Sequence, residues 1–256
     1  MNGLIQSTVA SRGAALIKQV EMPVAPFSFD GIREIYAEIL AAQEEVGGTV
    51  TYRAKIPAAG GKLFEIITGN EDTDTAAQKI AGVVIHSHKC NARFKEGTLS
   101  EPPVCSSMDG LTGTELESGE CHGCLDCPYN EYGSSPKGNG GKACKNMIRL
   151  YLMIEGSPIP LVLTLPPTSL NAWRNYRLSV LAPQRIKPVE VVTEFSLSPQ
   201  TSKSGQVYSA VNVRLIGKLD TQAAEMARFF ASGFAPKLDI TADDYDRRES
   251  KEETNA

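Results

Sequence analysis

Five of the six cysteines in this chain lie in one glycine-rich stretch between Cys105 and Cys144. Two overlapping C-x2-C units meet at its centre, where Cys124 is shared by Cys121 and Cys127. Thiolates two residues apart can point at the same ion, and four thiolates satisfy the tetrahedral preference of Zn2+. The stretch is otherwise poor in apolar residues, so a bound metal would supply folding energy that burial cannot. The spacing therefore predicts a metal-binding insertion over about residues 100–146.

Four thiols are predicted to hold a zinc ion: Cys105, Cys124, Cys127 and Cys144. The pair Cys124 and Cys127 runs directly into Pro128, and the two outer cysteines flank this pair from either side. Cys121 could replace Cys124, and His122 could replace a thiol. The C-x2-C-x2-C run also suits an iron–sulfur cluster, which the sequence leaves open.

The cysteines are expected to be reduced, because nothing in the sequence directs the chain to an oxidising compartment. The N-terminal sequence lacks a basic start followed by an apolar run, so we expect no signal peptide. No apolar stretch approaches the length that spans a bilayer, so we expect no membrane partner. The expected location is the cytoplasm, or the host cytoplasm if the protein is viral. Structural disulfides are uncommon there, which favours metal ligation, and the separate Cys90 is expected to be an ordinary buried thiol.

Acidic residues are concentrated at the C-terminus. From Asp239 onward the chain holds seven acidic and three basic residues, while residues 1–238 hold 23 of each sign. The tail therefore accounts for the net charge of −4. An acidic terminus with few apolar residues is predicted to be disordered and solvated. The predicted organisation is an N-terminal arm (1–25), one folded domain (26–238) and an acidic tail (239–256).

Hydrophobic alternation predicts mostly strands, with three helices. Strands are expected at 50–56, 62–68, about 80–88, 148–154, the LVLTL run after Pro160, 189–197 and 207–216. Helices are expected from Asp30 to Gly47, from Thr168 or Ser169 to about Leu181, and from Asp220 to Gly233. Within the middle helix, the inner face is expected to carry Trp173 into the core, together with Leu170, Tyr176 and Val180.

This order of elements predicts a mainly β (α+β) fold of five to seven mostly antiparallel strands. We interpret it as an OB-like Greek-key barrel with an inserted zinc-binding loop and a few helices. The OB-fold has five strands, a helix between the third and fourth, and long loops that hold a strand of nucleic acid. A plain α+β sandwich gives the same order of elements and remains an alternative.

Cationic and aromatic side chains lie opposite the apolar positions of several predicted strands and in the loop that closes the metal site. Aromatic rings stack on bases and nearby cations follow phosphates, and both are needed to bind single strands without reading the bases. Half-exposed Tyr and Arg also occur on strands that bind nothing. Eight residues are predicted to contact single-stranded nucleic acid: Arg53, Lys55, Lys142, Lys145, Arg149, Tyr151, Tyr208 and Arg214.

Several segments resemble a group of poorly characterised proteins from phages and other mobile elements: PVCSSMDG, CLDCPYNEYGS, GKACKN, LYLMIEG, LTLPPTSL and VVTEFSL. The chain also resembles, more distantly, phage single-stranded-DNA-binding proteins that carry a zinc subdomain within an OB-fold and end in an acidic tail. The similarity covers roughly residues 80–217. It implies a protein that coats exposed single strands during replication or recombination, with a tail that recruits partner enzymes and competes with DNA. The all-thiolate ligand set predicted here departs from that pattern, which mixes thiolates with histidine.

Enzyme motifs are not supported by the sequence, and we expect no catalytic activity. Zinc deaminases need H-x-E upstream of P-C-x-x-C, whereas this chain has His86-Ser-His88 and its proline follows the C-x-x-C. The glycine-rich loop lacks G-x4-G-K-[ST], so a nucleoside-triphosphate site is not predicted. The leading interpretation is a single-stranded-DNA-binding protein. The alternative is a non-enzymatic zinc-containing adaptor or inhibitor that binds another protein.

Overall fold

The computed structural model describes most of the chain between residues 22 and 236. The described residues are 22–45, 50–57, 59–70, 72–95, 103–136, 138, 140–202, 205–234 and 236. The acidic tail (239–256) and most of the predicted N-terminal arm lie outside them. The end of that arm belongs to the folded body instead, because the Ala25 backbone N–H donates to Lys218 O at 2.8 Å and Lys218 N–H donates to Pro23 O at 2.9 Å.

The described residues form a mainly β fold with a few helices, as the sequence predicts. The strands are β1 (Tyr52–Lys55), β2 (Phe64–Ile67), β3 (Thr75–Ala77), β4 (Lys79–Arg93), β5 (Cys105–Ser107), β6 (Thr112–Glu115), β7 (Cys121–Gly123), β8 (Cys144–Met153), β9 (Leu161–Leu165), β10 (Val191–Thr201) and β11 (Val207–Lys218). The helices are α1 (Ile32–Glu45), α2 (Leu170–Asn175) and α3 (Thr221–Gly233). No helix in this part of the chain is long and apolar enough to cross a membrane.

The strands form one open mixed sheet in the order β3-β2-β1-β9-β8-β4-β5-β6-β7, and β4 also pairs with β10, which pairs with β11. These pairs are antiparallel except β1 with β9. The prediction of five to seven strands was therefore too low. The missed strands β3, β5, β6 and β7 have three or four residues each and are too short to show an alternating pattern.

Strand β4 joins the two halves of the sheet. Its first residues, Lys79–Gly82, pair with β10, and the remainder from Val83 to Arg93 pairs with β8. Its last three residues also pair with β5, which belongs to the cysteine-rich insertion. A register shift lies between Val84 and His86. Because irregularities of this kind bend a strand and increase its twist, β4 can serve both parts of the sheet.

Two hydrophobic cores pack on opposite faces of the sheet. One core lies under α1, α3 and the segment before α1, and includes Phe27, Phe29, Ile32, Tyr36, Val83, Ile85, Tyr151, Met153 and Phe230. The other core lies between β1, β2, β8 and β9 on one side and β10, β11 and α2 on the other. It includes Ala54, Phe64, Val84, Leu150, Leu152, Leu163, Trp173, Tyr176, Phe195 and Val211.

The helix that carries Trp173 covers the second core. Trp173 and Tyr176 are buried as predicted, and the Tyr176 hydroxyl hydrogen-bonds Thr193 Oγ1 at 2.8 Å. After Asn175 the backbone continues as a π-helical segment from Tyr176 to Leu181. A π-helix has more residues per turn than an α-helix, so Leu181 is buried while the predicted core residue Val180 is 39% exposed.

Helix α3 confirms the prediction at both ends. The Asp220 side chain accepts a hydrogen bond from the Ala223 backbone N–H at 2.8 Å, as an N-cap does. The helix then ends at Gly233, and Phe230 is its fully buried aromatic residue. Its buried face covers the same side of the sheet as α1, which decides which β8 side chains reach the surface.

Candidate metal centre and cationic surface

The cysteine-rich insertion is an antiparallel meander attached to the end of β4. In β5, Cys105 pairs with Arg93 of β4 on one side and with Glu115 of β6 on the other. Arg93 also pairs with Cys144 of β8. Residues directly opposite one another in a sheet share a face, so Cys105 and Cys144 lie on the same face, on either side of Arg93. Strand β7 adds His122, which pairs with Gly113.

The four thiols predicted as zinc ligands line one small cavity, together with His122, Arg93 and Asn130. Cys124 follows β7, and its backbone N–H donates to Leu111 O at 2.7 Å. Cys127 directly precedes a 3-10 turn, Pro128–Asn130, in which Asn130 N–H donates back to Cys127 O at 2.8 Å.

Among the described residues, a set of three potential donor atoms, rather than the four predicted thiols, lies within mutual reach of a metal ion. Cys105, Glu115 and His122 offer atoms that all lie within 4.8 Å of one another, and this group could hold a metal ion. Cys105 Sγ lies 3.6 Å from His122 Nε2. Tetrahedral zinc with Zn–S of about 2.3 Å and Zn–N of about 2.0–2.1 Å separates two such donors by roughly 3.6 Å. Glu115 is also engaged elsewhere, because its Oε1 accepts from Arg93 Nη2 at 2.8 Å.

Burial and neighbouring charge raise the pKa of two of these thiols. Burial raises the pKa of Cys105 to about 12, with further contributions from Glu115 and from the thiols of Cys144 and Cys124. Burial likewise raises the pKa of Cys144 to about 11, with contributions from Cys124 and Cys127. Neighbouring thiols therefore contribute to the raised pKa of both Cys105 and Cys144. A divalent cation at their centre would offset the repulsion between thiolates.

The two remaining cysteines lie away from the cavity. Cys121 is exposed, and its sulfur contacts Thr114 Oγ1 at 3.6 Å and Gly119 O at 3.8 Å. Because adjacent strand residues point to opposite faces, His122 faces the cavity and Cys121 does not. Cys90 is buried in β4, as expected of an ordinary buried thiol. Of the two open alternatives, the structure therefore places His122 at the site.

Three asparagines join the cysteine-rich insertion to the sheet. Asn130 Nδ2 donates to Cys124 O at 2.7 Å, and Asn130 Oδ1 accepts from Asn146 Nδ2 at 2.9 Å. Asn146 Nδ2 also donates to Asn91 Oδ1 at 2.8 Å. This network connects the C-x2-C turn to β8 and β4, so the position of the turn depends on both strands. The sequence alone gave no indication of it.

Two of the eight residues predicted to bind nucleic acid are buried. Arg149 and Tyr151 lie on the same face of β8 and are both buried. Tyr151 belongs to the core under α1 and α3, and its ring lies 4.8 Å from that of Phe234. The Tyr151 hydroxyl also hydrogen-bonds His88 Nε2 at 3.2 Å. The prediction that these two residues form an exposed binding face is wrong, because tertiary packing covers that face. His88 beside them has a pKa lowered mainly by burial, against the opposing effect of its hydrogen bond to Lys89 O.

The other six predicted residues lie at two places on the surface. Lys142 and Lys145 belong to the metal insertion and the start of β8, where Lys145 Nζ donates to Lys142 O at 3.3 Å. The remainder lie on two strands: Arg53 and Lys55 on β1, and Tyr208 and Arg214 on β11.

Two of the four residues on β1 and β11 form ion pairs. Lys55 Nζ lies 3.4 Å from Glu65 Oε2, and Arg214 Nη2 lies 3.0 Å from Glu194 Oε1. The structure does not gather all six residues into one patch. Lys142 Nζ lies 5.0 Å from the ring centre of Tyr132, an aromatic residue that was not among those predicted.

Comparison of the chain with protein-family models, with characterised proteins and with solved structures gave no significant match. Its function is therefore inferred from the geometry and chemistry of the chain itself.

Proposed function

We propose that the body of this protein is an OB-type barrel that binds single-stranded DNA. The observation that carries the proposal is the connectivity of five strands around one core. Strands β4, β8 and β9 form an antiparallel meander, α2 follows, and β10 and β11 form a hairpin that returns to pair with β4. A helix between the third and fourth strands and a first strand shared by both halves are features of the OB layout.

Contacts on the far side of the core support a barrel rather than a flat sheet. Ser209 Oγ of β11 donates to Pro57 O at 2.7 Å and contacts Gly61 O at 3.0 Å. Gly60 in the same turn approaches β11 so closely that a Cβ there would lie 2.6 Å from Val207 Cγ1. The hairpin of β1 and β2 thus adjoins the start of β11. Lys55 and Tyr208 are close in sequence to Pro57 and Ser209, the residues that form this contact.

OB-folds bind oligonucleotides through the face of the second and third strands and through the loops after the first and the fourth. Here the loop after the first barrel strand is the metal insertion, with Lys142 and Lys145 near its end. The loop after the fourth leads into Tyr208. The outer face of the second strand is covered by helices, so we assign DNA binding to the loops. The proposed role is to coat exposed single strands during phage or mobile-element replication or recombination. The proposed location for this role is the cytoplasm.

The insertion is proposed to hold Zn2+ through Cys105, Cys124, Cys127 and Cys144. These thiols line one cavity, and a structural site of four ligands leaves no open position for catalytic water. His122 is the alternative fourth ligand, because its Nε2 lies at zinc-ligand spacing from Cys105. In either set the metal orders a loop with little apolar material of its own, and thereby fixes the positions of Lys142 and Lys145.

Gly113 is expected to be required for tight metal binding. A Cβ at this position would lie 3.0 Å from His122 Nε2, 3.2 Å from Cys105 Sγ and 3.4 Å from Cys124 Sγ. Gly113→Ala should therefore displace donor atoms and weaken zinc affinity by about tenfold or more, measured by competition with a chromophoric chelator. Gly123→Ala is the matched control, because nothing lies within 4 Å of a Cβ there. Equal zinc affinity for both variants would contradict the proposed site.

DNA binding is tested by fluorescence anisotropy with a labelled oligo(dT) strand. We expect binding that weakens steeply with salt, because each neutralised phosphate releases counterions. Three phosphate contacts correspond to a roughly 20-fold loss of affinity between about 50 and 200 mM salt. An unlabelled duplex should compete poorly. Absence of binding to oligo(dT) at low salt would rule out the proposed function.

One observation favours the adaptor function as a second candidate. Residues 103–136 contain six acidic residues and no lysine or arginine. Leu125 is 86% exposed and Leu111 is 68% exposed in the same segment. Exposed apolar side chains among carboxylates suit contact with a basic protein surface. Recruitment of replication or recombination proteins by the acidic tail (239–256) remains a prediction from the sequence.

A further inference from the structure

An exposed aromatic ring on the metal insertion stands beside a lysine. Tyr132 is 85% exposed, and Lys142 Nζ lies 5.0 Å from the centre of its ring. Tyr129, three residues earlier, is 45% exposed, and the Arg93 guanidinium carbon lies 4.1 Å from the centre of its ring. The exposed Tyr132 ring therefore offers a flat apolar face next to the ammonium group of Lys142.

The backbone around Tyr132 is held in place by hydrogen bonds. Gly133 N–H donates to Gly141 O at 3.0 Å, and Ser135 N–H donates to the same carbonyl at 3.0 Å. Ser134 Oγ donates to Glu131 O at 2.6 Å and to Tyr129 O at 3.0 Å. A ring carried by a fixed backbone loses little conformational freedom when a flat partner stacks on it.

The lysine is also positioned by the structure. Lys142 Nζ donates to Asn130 Oδ1 at 3.1 Å, and Asn130 Nδ2 holds Cys124 O. This hydrogen bond is to a neutral amide oxygen, so it does not cancel the positive charge of Lys142. Arg93 differs, because its guanidinium is paired with Glu115. Lys145 adds a second ammonium whose Nζ reaches the Lys142 carbonyl.

We propose that Tyr132 stacks on one base of single-stranded DNA while Lys142 contacts the neighbouring phosphate. This inference rests on the proposed DNA-binding function and assigns it a subsite. Stacking on a ring is tolerant of sequence, and an adjacent cation adds a salt-dependent contribution. The subsite lies on the metal insertion and replaces the buried Tyr151 as the aromatic contact. Its geometry depends on Asn130, and so on the C-x2-C turn that the metal orders.

The test uses the full chain and two labelled strands of equal length, oligo(dT) and an abasic strand with the same phosphates. Tyr132→Ala should bind oligo(dT) about tenfold more weakly than the unmodified chain, and Tyr132→Phe should stay within about twofold because the ring is retained. Neither change should alter affinity for the abasic strand, which has no base to stack. Lys142→Met should instead weaken both strands and lower the salt slope by about 0.7.

Leu125→Ala is the matched control, because Leu125 is as exposed as Tyr132 and lies on the same insertion. Its position between the candidate ligands Cys124 and Cys127 means that zinc content must be measured for this variant too. It should leave both affinities unchanged. If the unmodified chain binds oligo(dT) and Tyr132→Ala binds it equally well, the stacking subsite is overturned and the DNA-binding function stands. If the unmodified chain binds neither strand, the DNA-binding function itself fails. Zinc content measured for each variant verifies that the insertion is intact.

Discussion

Replacing Cys144 by serine is expected to abolish zinc binding at the proposed site and to unfold the cysteine-rich insertion. Cys144 is buried at the start of β8, in register with Arg93 and near the other thiols. Structural zinc contributes roughly 10–16 kcal/mol in small zinc domains, so loss of a ligand removes the main source of order in this segment. Elemental analysis of the reduced protein should give about one zinc per chain before the change and much less after it.

Cys121→Ser provides the control for that experiment. Cys121 lies in the same motif, but it is exposed and its sulfur contacts Thr114 and the Gly119 carbonyl. The variant should keep its zinc. Retention of zinc by Cys144→Ser, or its loss from Cys121→Ser, would contradict the proposed ligand set. Cobalt substitution then separates the two candidate sets, since the thiolate-to-cobalt charge-transfer band is stronger with four sulfur ligands than with three and His122.

Trp173→Ala is expected to give the largest loss of stability in the folded body of the protein. Trp173 is 1% exposed, and its ring packs against Tyr176 and Phe195 with centroid distances of 5.7 and 6.3 Å. Truncating a buried tryptophan costs about 3–5 kcal/mol, a large part of the roughly 5–15 kcal/mol that stabilises a typical domain. Urea denaturation of the zinc-loaded protein, followed by circular dichroism, measures the change in the free energy of unfolding.

Val180→Ala is the matched control in the same helical segment. Although it has the spacing of a core residue, Val180 is 39% exposed, so its truncation should change the free energy of unfolding by less than about 0.5 kcal/mol. Comparable losses for the two variants would show that the π-helical segment does not adopt the register described here. A small loss for Trp173→Ala would show that this residue does not belong to the core.

The predictable part of the fold is the part with a regular period. Alternation located β1, β2, β8, β9, β10 and β11, and the Asp220 cap located α3. The π-helical segment after Asn175 could not be foreseen, because no residue in it breaks an α-helical pattern. Because of this segment, Leu181 is buried in the core in place of the predicted Val180. Strands of three or four residues were missed for a related reason, since two side chains on one face do not make a pattern.

The candidate metal centre was more accessible to sequence reasoning than the cationic surface. Spacing alone singled out four thiols that line one cavity. Spacing could not choose between Cys121 and His122, because that choice depends on which of the two side chains lies on the cavity side of β7. Register decides it, since Gly113 lies opposite His122 and leaves room for its ring.

Burial on a β-strand is set by what packs on it, which its own sequence does not record. Arg149 and Tyr151 alternate with apolar residues, as exposed side chains do, yet both are buried. Tyr151 belongs to the core under α1 and α3, which come from distant parts of the chain. Tyr132 had no such pattern around it and was overlooked. Its exposure and its neighbour Lys142 become visible once the loop around Gly133 and Gly141 is folded.

The position of Arg93 between two cysteines has a consequence for the order in which the chain folds. Arg93 pairs with Cys105 on one side and with Cys144 on the other. Direct pairing of β4 with β8 closes a loop of about 50 residues, whereas pairing with β5 closes about 11, and the entropic difference is about 1.3 kcal/mol. A metal that captures Cys144 after β5 has formed lets β8 arrive through short steps. A zinc ion bound at the proposed site would therefore lower the entropic barrier to assembling the central sheet.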